Sequence, residues 1–182
     1  MGFVTKLSRL SLITISNTLT TIFNKLNGYF KVNQYKKNSN PKVFDWAWEK
    51  KGYNRIALVN YLISKSGGIN SKYLEIGCNK NALFDSVASL NKTGVDPEKG
   101  GTHRMTSDEF FLKNNEVFDV IFVDGLHEYH QVHTDAINAL KAVKVGGYVA
   151  FHDFLPCNWI HQHVPRLNDK TWNGDCWKLA SQ

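Results

Sequence analysis

The sequence predicts a doubly wound α/β domain with a mostly parallel sheet, and three observations lead to this class. Short apolar runs alternate with helical patterns from residue 54 onward. The runs do not alternate regularly between polar and apolar residues, which is typical of strands that are buried on both faces. The 182 residues, 42% of them hydrophobic, suffice for one domain with a sizeable core, which excludes a wholly disordered chain.

The elements follow in a regular order. A helix is expected from Asn54, a residue type that caps helices, to the Gly67-Gly68 stop signal. Further helices are expected around 81–90, from about 107, and over about 128–143. The apolar runs predict strong strands at 72–77, 93–96, 118–124 and 147–153, and a weak strand near 102–106. The sequence therefore predicts five strands.

The net charge of +6 is distributed unevenly along the chain. Residues 1–44 hold seven basic residues and no acidic one, whereas residues 45–182 hold 15 basic and 16 acidic residues. We therefore divide the chain into a basic arm at 1–44 and a nearly neutral α/β domain at 45–182. Because basic residues do not cluster on the globular part, no nucleic-acid partner is expected.

The arm carries a helical pattern of apolar residues. One stripe with steps of three and four ends near the turn signal Asn27-Gly28, and residues 31–43 have the composition of a polar linker. The stripe consists of Leu12, Ile15, Leu19, Ile22, Leu26 and Tyr29. Such a helix packs on its own domain, on a sister subunit in a homo-oligomer, or on an anionic membrane surface as a peripheral contact.

The cellular compartment is expected to be the cytoplasm. Three cysteines at irregular spacing favour a reduced, intracellular protein over a disulfide framework. No run of 18 apolar residues predicts a transmembrane helix, and the N-terminal segment lacks the cleavage site of a secretory signal.

Polar residues follow the predicted strands at the points where the apolar runs stop. Ligands of open parallel sheets bind beyond the carboxyl ends of the strands, which makes these residues candidates for a site. They are Glu75, Gly77, Asp96, Asp124, His152 and Asp153. Asp96 follows Glu75 by 21 residues, a spacing at which an acid meets ribose hydroxyls in dinucleotide-binding folds. However, Asn79 and Asn81 stand where a nicotinamide-binding loop usually has glycine.

The segments YLEIGCNKNALFDSV, GVDPEKGGTHRMTSDEFF and IFVDGLHEYHQVHTDAINALKAVKVGGYVAFHDF carry a family resemblance. They resemble the class I S-adenosylmethionine-dependent methyltransferases, in particular a bacterial branch with macrocin O-methyltransferase-like and cephalosporin-hydroxylase-like proteins. The resemblance covers about residues 54–178, and IFVDGLHEY followed by a helix, a Gly-Gly turn and FHD is its specific part.

The resemblance implies S-adenosylmethionine as the cofactor and assigns roles to residues of this chain. Glu75 and Gly77 stand where the first family motif meets the methionine moiety, and Asp96 stands where an acid binds the ribose. Ser107 and Asp108 resemble the segment that contacts adenine. Asp124 and His127 occupy the motif beside the methyl group and are the candidate catalytic residues. Metal-dependent relatives suggest a divalent cation such as Mg²⁺ at Asp124 and Asp153, with His152 as a neighbour.

The expected reaction is methyl transfer to a hydroxyl of a small molecule or glycan. Such an acceptor must lose its proton, either to His127 as a base or with the help of a divalent ion. Two alternatives stay open. One is a truncated or degenerate domain that serves in binding or assembly, and the other is a nucleotide-dependent oxidoreductase on the same fold.

Two other groups of metal-ligand residue types give weaker patterns. His127, His130 and His133 recur every third residue, a spacing that spreads them over about 120° of a helix. The spacing of Cys157, His161, His163 and Cys176 matches no common zinc motif. Neither set is expected to bind a metal.

The C-terminal part is expected to lack the antiparallel strand pair that completes the seven-stranded sheet of the family. Only 29 residues follow Asp153, and they contain no two strong β runs. The last strand would then form an open edge. Trp159, Trp172 and Trp177, the N-terminal helix or a second subunit are the candidates for covering it.

Overall fold

The computed structural model describes residues 3–38, 44–167 and 171–181. Within these ranges, the side chains of residues 3–16, Asn38 and Trp48 are not described. The helices are α1 (Phe3–Asn38), α2 (Arg55–Ser66), α3 (Ser107–Lys113), α4 (Tyr129–Ala142) and α5 (Trp159–Gln162). The strands are β1 (Lys72–Ile76), β2 (Asn91–Val95), β3 (Phe118–Val123) and β4 (Val143–Phe151). Short 3-10 helices lie at Trp48–Lys50, Gly68–Asn70, Phe84–Ser86 and Cys176–Ser181.

The four strands form one parallel sheet in the order β2-β1-β3-β4. The register pairs Ile76 with both Val95 and Val123, and it pairs Val123 with Phe151. The chain moves outward from β1 to β2 on one side and from β3 to β4 on the other, so the direction of winding changes between β1 and β3. This position is the topological switch point at which open α/β sheets bind ligands.

Both faces of the sheet are covered, which confirms the doubly wound α/β class. On one face, Val59 and Ile63 of α2 pack with Phe84 against side chains of β1 and β3 such as Tyr73 and Phe122. On the other face lie α3, α4 and the C-terminal 3-10 helix. Their contributions to that core include Phe110, Val132, Ala139, Cys176 and Leu179. The ends of α2 are those predicted: Asn54 accepts a hydrogen bond from Ala57 N, and Gly67 N donates to Ile63 O.

The helix predicted around 81–90 is wrong. This segment forms only the 3-10 turn Phe84–Ser86. The reason is a tertiary contact with α2, because the Asn60 side chain accepts from Ala88 N and donates to Ser86 O. These backbone groups are satisfied without continuing a helix.

The strand predicted near 102–106 is also wrong, so the sheet has four strands rather than five. Only one parallel bridge remains there, between Val95 and His103. Thr106 already caps α3 by accepting a hydrogen bond from Glu109 N, and the capping box is completed by the Glu109 side chain. Only Arg104 and Met105 therefore remain between His103 and the cap of α3, too few residues to extend the bridge into a strand.

Helix α1 does not end near Asn27-Gly28, and the linker predicted at 31–43 is helical as far as Asn38. Residues 39–43 of that linker lie outside the described residues. The helix continues because the face that holds Gly28 and Val32 is buried. Val32 packs with Ile160 and Leu167, and the Tyr35 ring stacks on Trp159 with centroids 5.2 Å apart. None of the described helices combines the length and the apolarity that crossing a membrane requires.

Strand β4 forms one edge of the sheet, as the sequence predicts. The described residues after it contain α5 and the last 3-10 helix and no strand. The side chains of β4 are half-buried or exposed, and that of Val145 is fully exposed. Helix α1 covers the segment that follows β4, through Ile160 and Leu167.

We predict that Ile160→Ala loosens α1 without unfolding the sheet. Removing a buried Ile side chain costs about 2–5 kcal/mol, and here that loss falls on the contact between α1 and the segment after β4. Amide hydrogen exchange should accelerate over residues 28–38 and stay slow in β1 and β3. Leu26→Ala, on an exposed part of the same helix, should change neither. Equal protection of residues 28–38 in both variants would contradict the docking.

Candidate functional site

A cleft of about 850 Å³ opens at the carboxyl edge of the sheet, at the switch point between β1 and β3. It brings together most of the site residues predicted from the sequence. Those that line it are Glu75, Gly77, Asp96, Ser107, Asp124, His127, His152 and Asp153. Asp108 lies at the start of α3 and contacts the Gln131 side chain of α4 instead.

The turn after β1 passes very close to the end of β3. Gly77 has a φ of 87°, and a Cβ atom at this position would collide with the Asp124 carbonyl oxygen. Gly77 N donates to Val95 O, and Asp124 N donates to Ile76 O. Only glycine allows the backbone to turn here at this distance.

The loop that follows Gly77 takes its shape without further glycines. Asn79 and Asn81 have φ values of 46° and 62°, the left-handed conformation that asparagine adopts more readily than most residues. The Asn81 side chain also accepts a hydrogen bond of 2.7 Å from Gly101 N. The two asparagines therefore take the conformations that glycine would supply, and Asn81 ties this loop to the loop after β2.

Asp96 organises the neighbouring loop. Its carboxylate accepts hydrogen bonds from the backbone N–H groups of Asn79, Glu98 and Lys99 at 2.7–2.8 Å. Burial works against its negative charge, but these three donors outweigh burial and lower the pKa of Asp96. The group is thus a fixed carboxylate at the end of β2, beside the cleft.

Asp124 lies at the centre of a cluster of polar side chains. Its Oδ1 is 3.2 Å from His127 Nε2 and 3.2 Å from His152 Nδ1, and its Oδ2 is 3.2 Å from the guanidinium of Arg55. Burial disfavours its charge, but the two imidazoles lower the pKa of Asp124 to about 2. The residue is ionised at any physiological pH.

His127 is held on both sides of its ring. Nδ1 lies 3.2 Å from the Trp172 carbonyl oxygen and 3.4 Å from Asp153 Oδ2, while Nε2 lies next to Asp124. Burial opposes its charge, but the hydrogen bond to Asp124 and the charges of both carboxylates raise its pKa. Both ring nitrogens therefore face hydrogen-bond acceptors within the protein.

His152 and Asp153 complete the cluster at the end of β4. His152 Nδ1 is buried at 3.2 Å from Asp124 Oδ1 and 3.4 Å from Asp153 Oδ1, yet it makes no hydrogen bond with proper geometry. The two carboxylates raise the pKa of His152 to about 9 against the effect of burial. One ligand atom from each of Asp124, His152 and Asp153 lies within 4.8 Å of the others, a spacing that suits a metal ion.

Part of the C-terminal segment, at residues 172–175, packs against this cluster. The Trp172 ring stacks on His127 with centroids 5.4 Å apart, and Asn173 Nδ2 donates to Asp153 Oδ1 at 2.9 Å. At Gly174 a Cβ atom would collide with the His127 carbonyl oxygen. Asp175 accepts from Tyr129 N at 2.6 Å and so caps α4, whose own N-cap residue makes no side-chain cap.

A second polar group lies between α3 and α4, at one end of the cleft. Gln131 Nε2 is within 3.1–3.2 Å of Ser107 Oγ, Asp108 Oδ1 and Asp135 Oδ1. Burial raises the pKa of Asp135, which is 1% exposed. Thr106, Ser107 and Gln131 reach the cleft. Of the two residues predicted to contact adenine, Ser107 lines the cleft, whereas Asp108 binds the Gln131 side chain outside it.

Sequence reasoning missed Arg55 and Gln131, and it singled out the Trp-rich C-terminal stretch without the contact between Trp172 and His127. Arg55 is the first residue of α2 and reaches Asp124, which lies 69 residues further along the chain. No local pattern signals such contacts. Among the described residues, the potential metal ligands that lie close enough to share an ion are Asp124, His152 and Asp153. The Cys157–His161–His163–Cys176 and triple-histidine alternatives do not form such a set there.

Glu75 lies at the inner end of the cleft with a raised pKa. It is 2% exposed, and Tyr73 Oη donates to its Oε2 at 2.7 Å. Burial raises the pKa of Glu75 to about 7, the hydrogen bond from Tyr73 opposes the shift, and the charge of Asp124 adds to it. The folded protein therefore holds this proton at a pH where the unfolded chain has lost it.

We predict that the free energy of unfolding falls as the pH rises from 5 to 8, and that Glu75→Gln reduces this fall. A carboxyl whose pKa is raised on folding stabilises the protein fully below about 4.5, and this contribution is lost as the pH passes through about 7. The difference in the free energy of unfolding between wild type and Glu75→Gln, measured in urea titrations, should change by about 2 kcal/mol over this pH range. Glu116→Gln, at an exposed position where Lys72 lowers the pKa, should keep the wild-type slope above about pH 5, because that carboxyl is then ionised in both states. A slope that Glu75→Gln leaves unchanged would contradict the shift.

A segment of 50 residues, 28% of this chain, is 38% identical to an uncharacterized protein of Acanthamoeba polyphaga mimivirus, and the matched segment covers 23% of that protein's length. The match thus spans about a quarter of this relative's length. No solved structure matches the chain significantly.

Residues 74–154 match a family model described as a methyltransferase domain. The matched segment begins in β1 and ends just after β4, so it includes all the strand ends that line the cleft. The match and the four-stranded parallel sheet agree with a Rossmann-like methyltransferase core. Together they support an S-adenosylmethionine-dependent methyltransferase family for this domain.

Proposed function

We propose that the domain transfers the methyl group of S-adenosylmethionine to a hydroxyl of a small molecule or glycan. The observation that carries the proposal is the cluster of Asp124, His127, His152 and Asp153 beside the Gly77 turn, inside the cleft. A family of methyltransferase domains matches this part of the chain. The cluster supplies groups that can deprotonate an acceptor, and a hydroxyl acceptor needs such help.

The cleft offers a suitable group for each part of the cofactor. The cofactor supplies an activated methyl group on a sulfonium, so the protein mainly has to align the reactants. Glu75 and Gly77 would receive the methionine moiety, whose positive charge would favour the ionised form of Glu75. Asp96 would accept hydrogen bonds from the ribose, and Ser107 would contact the adenine. Arg55, partly exposed beside Asp124, would suit a carboxylate.

Two routes could remove the proton from the acceptor hydroxyl. His127 is the candidate base. However, its Nδ1 already faces the Trp172 carbonyl oxygen and Asp153, and its Nε2 already faces Asp124. His152 Nδ1, in contrast, is a buried nitrogen without a hydrogen-bond partner, and it faces two carboxylates. This arrangement favours a divalent ion held by Asp124, Asp153 and His152, with His127 orienting the two carboxylates.

The donor set indicates the type of ion. Two carboxylates and one imidazole suit Mg²⁺ or Mn²⁺ better than a thiolate-binding metal. A bound ion lowers the pKa of a hydroxyl and orients it. Asp124 and Asp153 would hold the ion, His152 would bind through Nδ1 after losing the proton that the two carboxylates stabilise, and Asn173 would keep Asp153 in place through its hydrogen bond.

The charge distribution argues against nucleic acid as the acceptor. The part of the chain from residue 45 on has a net charge of −1, so basic residues do not outnumber acidic ones there as is typical of nucleic-acid-binding domains. A hydroxyl of a small molecule or of a glycan needs no such excess of basic residues. We therefore propose this substrate class and no nucleic-acid partner.

The experiment that tests the proposal is a calorimetric titration of the full chain. S-adenosylmethionine and S-adenosylhomocysteine should both bind, because they share the groups that Glu75, Asp96 and Ser107 would contact. NAD should not bind, and its binding would favour an oxidoreductase on the same fold. A chain that binds none of the three would be a methyltransferase-like domain with a role in binding or assembly.

We predict that Asp96→Ala weakens S-adenosylmethionine binding by about tenfold or more, because ribose hydroxyls lose a charged acceptor. Asp96→Asn, which keeps one acceptor and the size of the side chain, should lose less. Asp119→Ala is the matched control, since Asp119 also accepts a backbone N–H bond but lies at the start of β3, far from the cleft. It should leave the affinity unchanged. The same affinity in wild type and both Asp96 variants would remove Asp96 from the site.

We predict that the chelated protein binds Mn²⁺, detected as loss of the free-ion signal in electron paramagnetic resonance. Asp153→Asn should weaken this binding by about tenfold or more, since it removes one of two charged ligands. Asp85→Asn, an exposed acid elsewhere, should bind as wild type does. Methyl transfer that survives exhaustive chelation and gains nothing from Mg²⁺ or Mn²⁺ would instead favour His127 acting as the base alone.

A further inference from the structure

Helix α1 has two opposite apolar faces along its described side chains. One face packs against the domain, and the other is exposed. Gly28, Val32 and Tyr35 face the domain, at positions spaced by four and three residues. The apolar residues on the other side are exposed, and the rings of Phe23 and Phe30 are each 67% exposed. At 100° per residue, the centres of the two faces lie about 160° apart. The exposed apolar face consists of Leu19, Ile22, Phe23, Leu26, Tyr29 and Phe30.

The exposed face lies within a strongly basic segment. Residues 1–44 carry seven lysines and arginines and no acid. Lys25 and Lys31 are exposed and lie on opposite sides of the helix between the two apolar faces, and Lys36 and Lys37 follow in the last turns of the helix. Phenylalanine and tyrosine beside lysine are the residue types that helices place at the boundary between lipid headgroups and acyl chains.

We propose that α1 lies on an anionic lipid surface, with the exposed apolar face inserted and the flanking lysines at the headgroups. The charges decide between this occupant and a second copy of the chain. Pairing the same face of two copies would bring together two basic helices that have no acidic residue to neutralise them. An anionic surface, in contrast, attracts each lysine, and the buried face still fixes the helix to its domain.

The test is co-sedimentation of the full chain with vesicles of phosphatidylcholine alone and of phosphatidylcholine mixed with phosphatidylserine. The chain should bind the anionic vesicles, bind the neutral ones much more weakly, and dissociate as the ionic strength rises. Phe23→Gln combined with Phe30→Gln should reduce binding by about tenfold or more, because both rings leave the inserted face. Glutamine supports helices, so α1 should persist.

A matched control removes the same kind of side chain elsewhere. Leu90→Gln combined with Leu112→Gln changes two exposed apolar residues outside α1, and it should bind as wild type does. Equal losses in both double variants, or a wild-type chain that ignores anionic vesicles, would overturn the proposal. A stable dimer in sedimentation velocity that Phe23→Gln with Phe30→Gln dissociates would also overturn it, because the face would then be a subunit interface.

Discussion

The in-register parallel pairing of β1 with its two neighbours is the constraint on which the site depends. Because Ile76 lies opposite both Val95 and Val123, the residues that follow these strands emerge at the same level of the sheet. The collision that a Cβ at Gly77 would make with Asp124 shows how closely two of these turns approach. A slip of one residue would reverse the faces of the side chains in β1 or β3, and with them both cores. The same register that builds the core therefore assembles the cleft.

The parts of the fold that could be predicted from the sequence are those with a local cause. The apolar runs located all four strands, and Asn54 marked the beginning of α2 because a cap acts within one helical turn. The strand ends also indicated the cleft, since strands of a parallel sheet end at a common edge. The asparagines of the loop after β1 were harder to interpret, because the pattern favours glycine while the backbone requires only a left-handed conformation.

The parts that could not be predicted have causes distant in the sequence. The segment around 81–90 is not helical because the Asn60 side chain, more than 20 residues earlier, satisfies its backbone groups. Helix α1 passes the Gly28 turn signal because Ile160 and Leu167 lie against its next turn. Arg55 reaches Asp124 only through the placement of α2 over the sheet. In each case a tertiary contact outweighs a weak local preference.

The C-terminal segment connects the two surfaces for which functions are proposed. Ile160 packs against Val32 of α1, and the carbonyl oxygen of the next residue, His161, accepts hydrogen bonds from the backbone N–H groups of Asn173 and Gly174. Asn173 in turn bonds to Asp153 in the cleft. Helix α1 therefore packs on the same C-terminal segment that contacts the cluster in the cleft. These two sets of contacts fix the position of the helix relative to the cleft. A helix lying on a lipid surface would thereby also determine how the cleft is oriented above that surface.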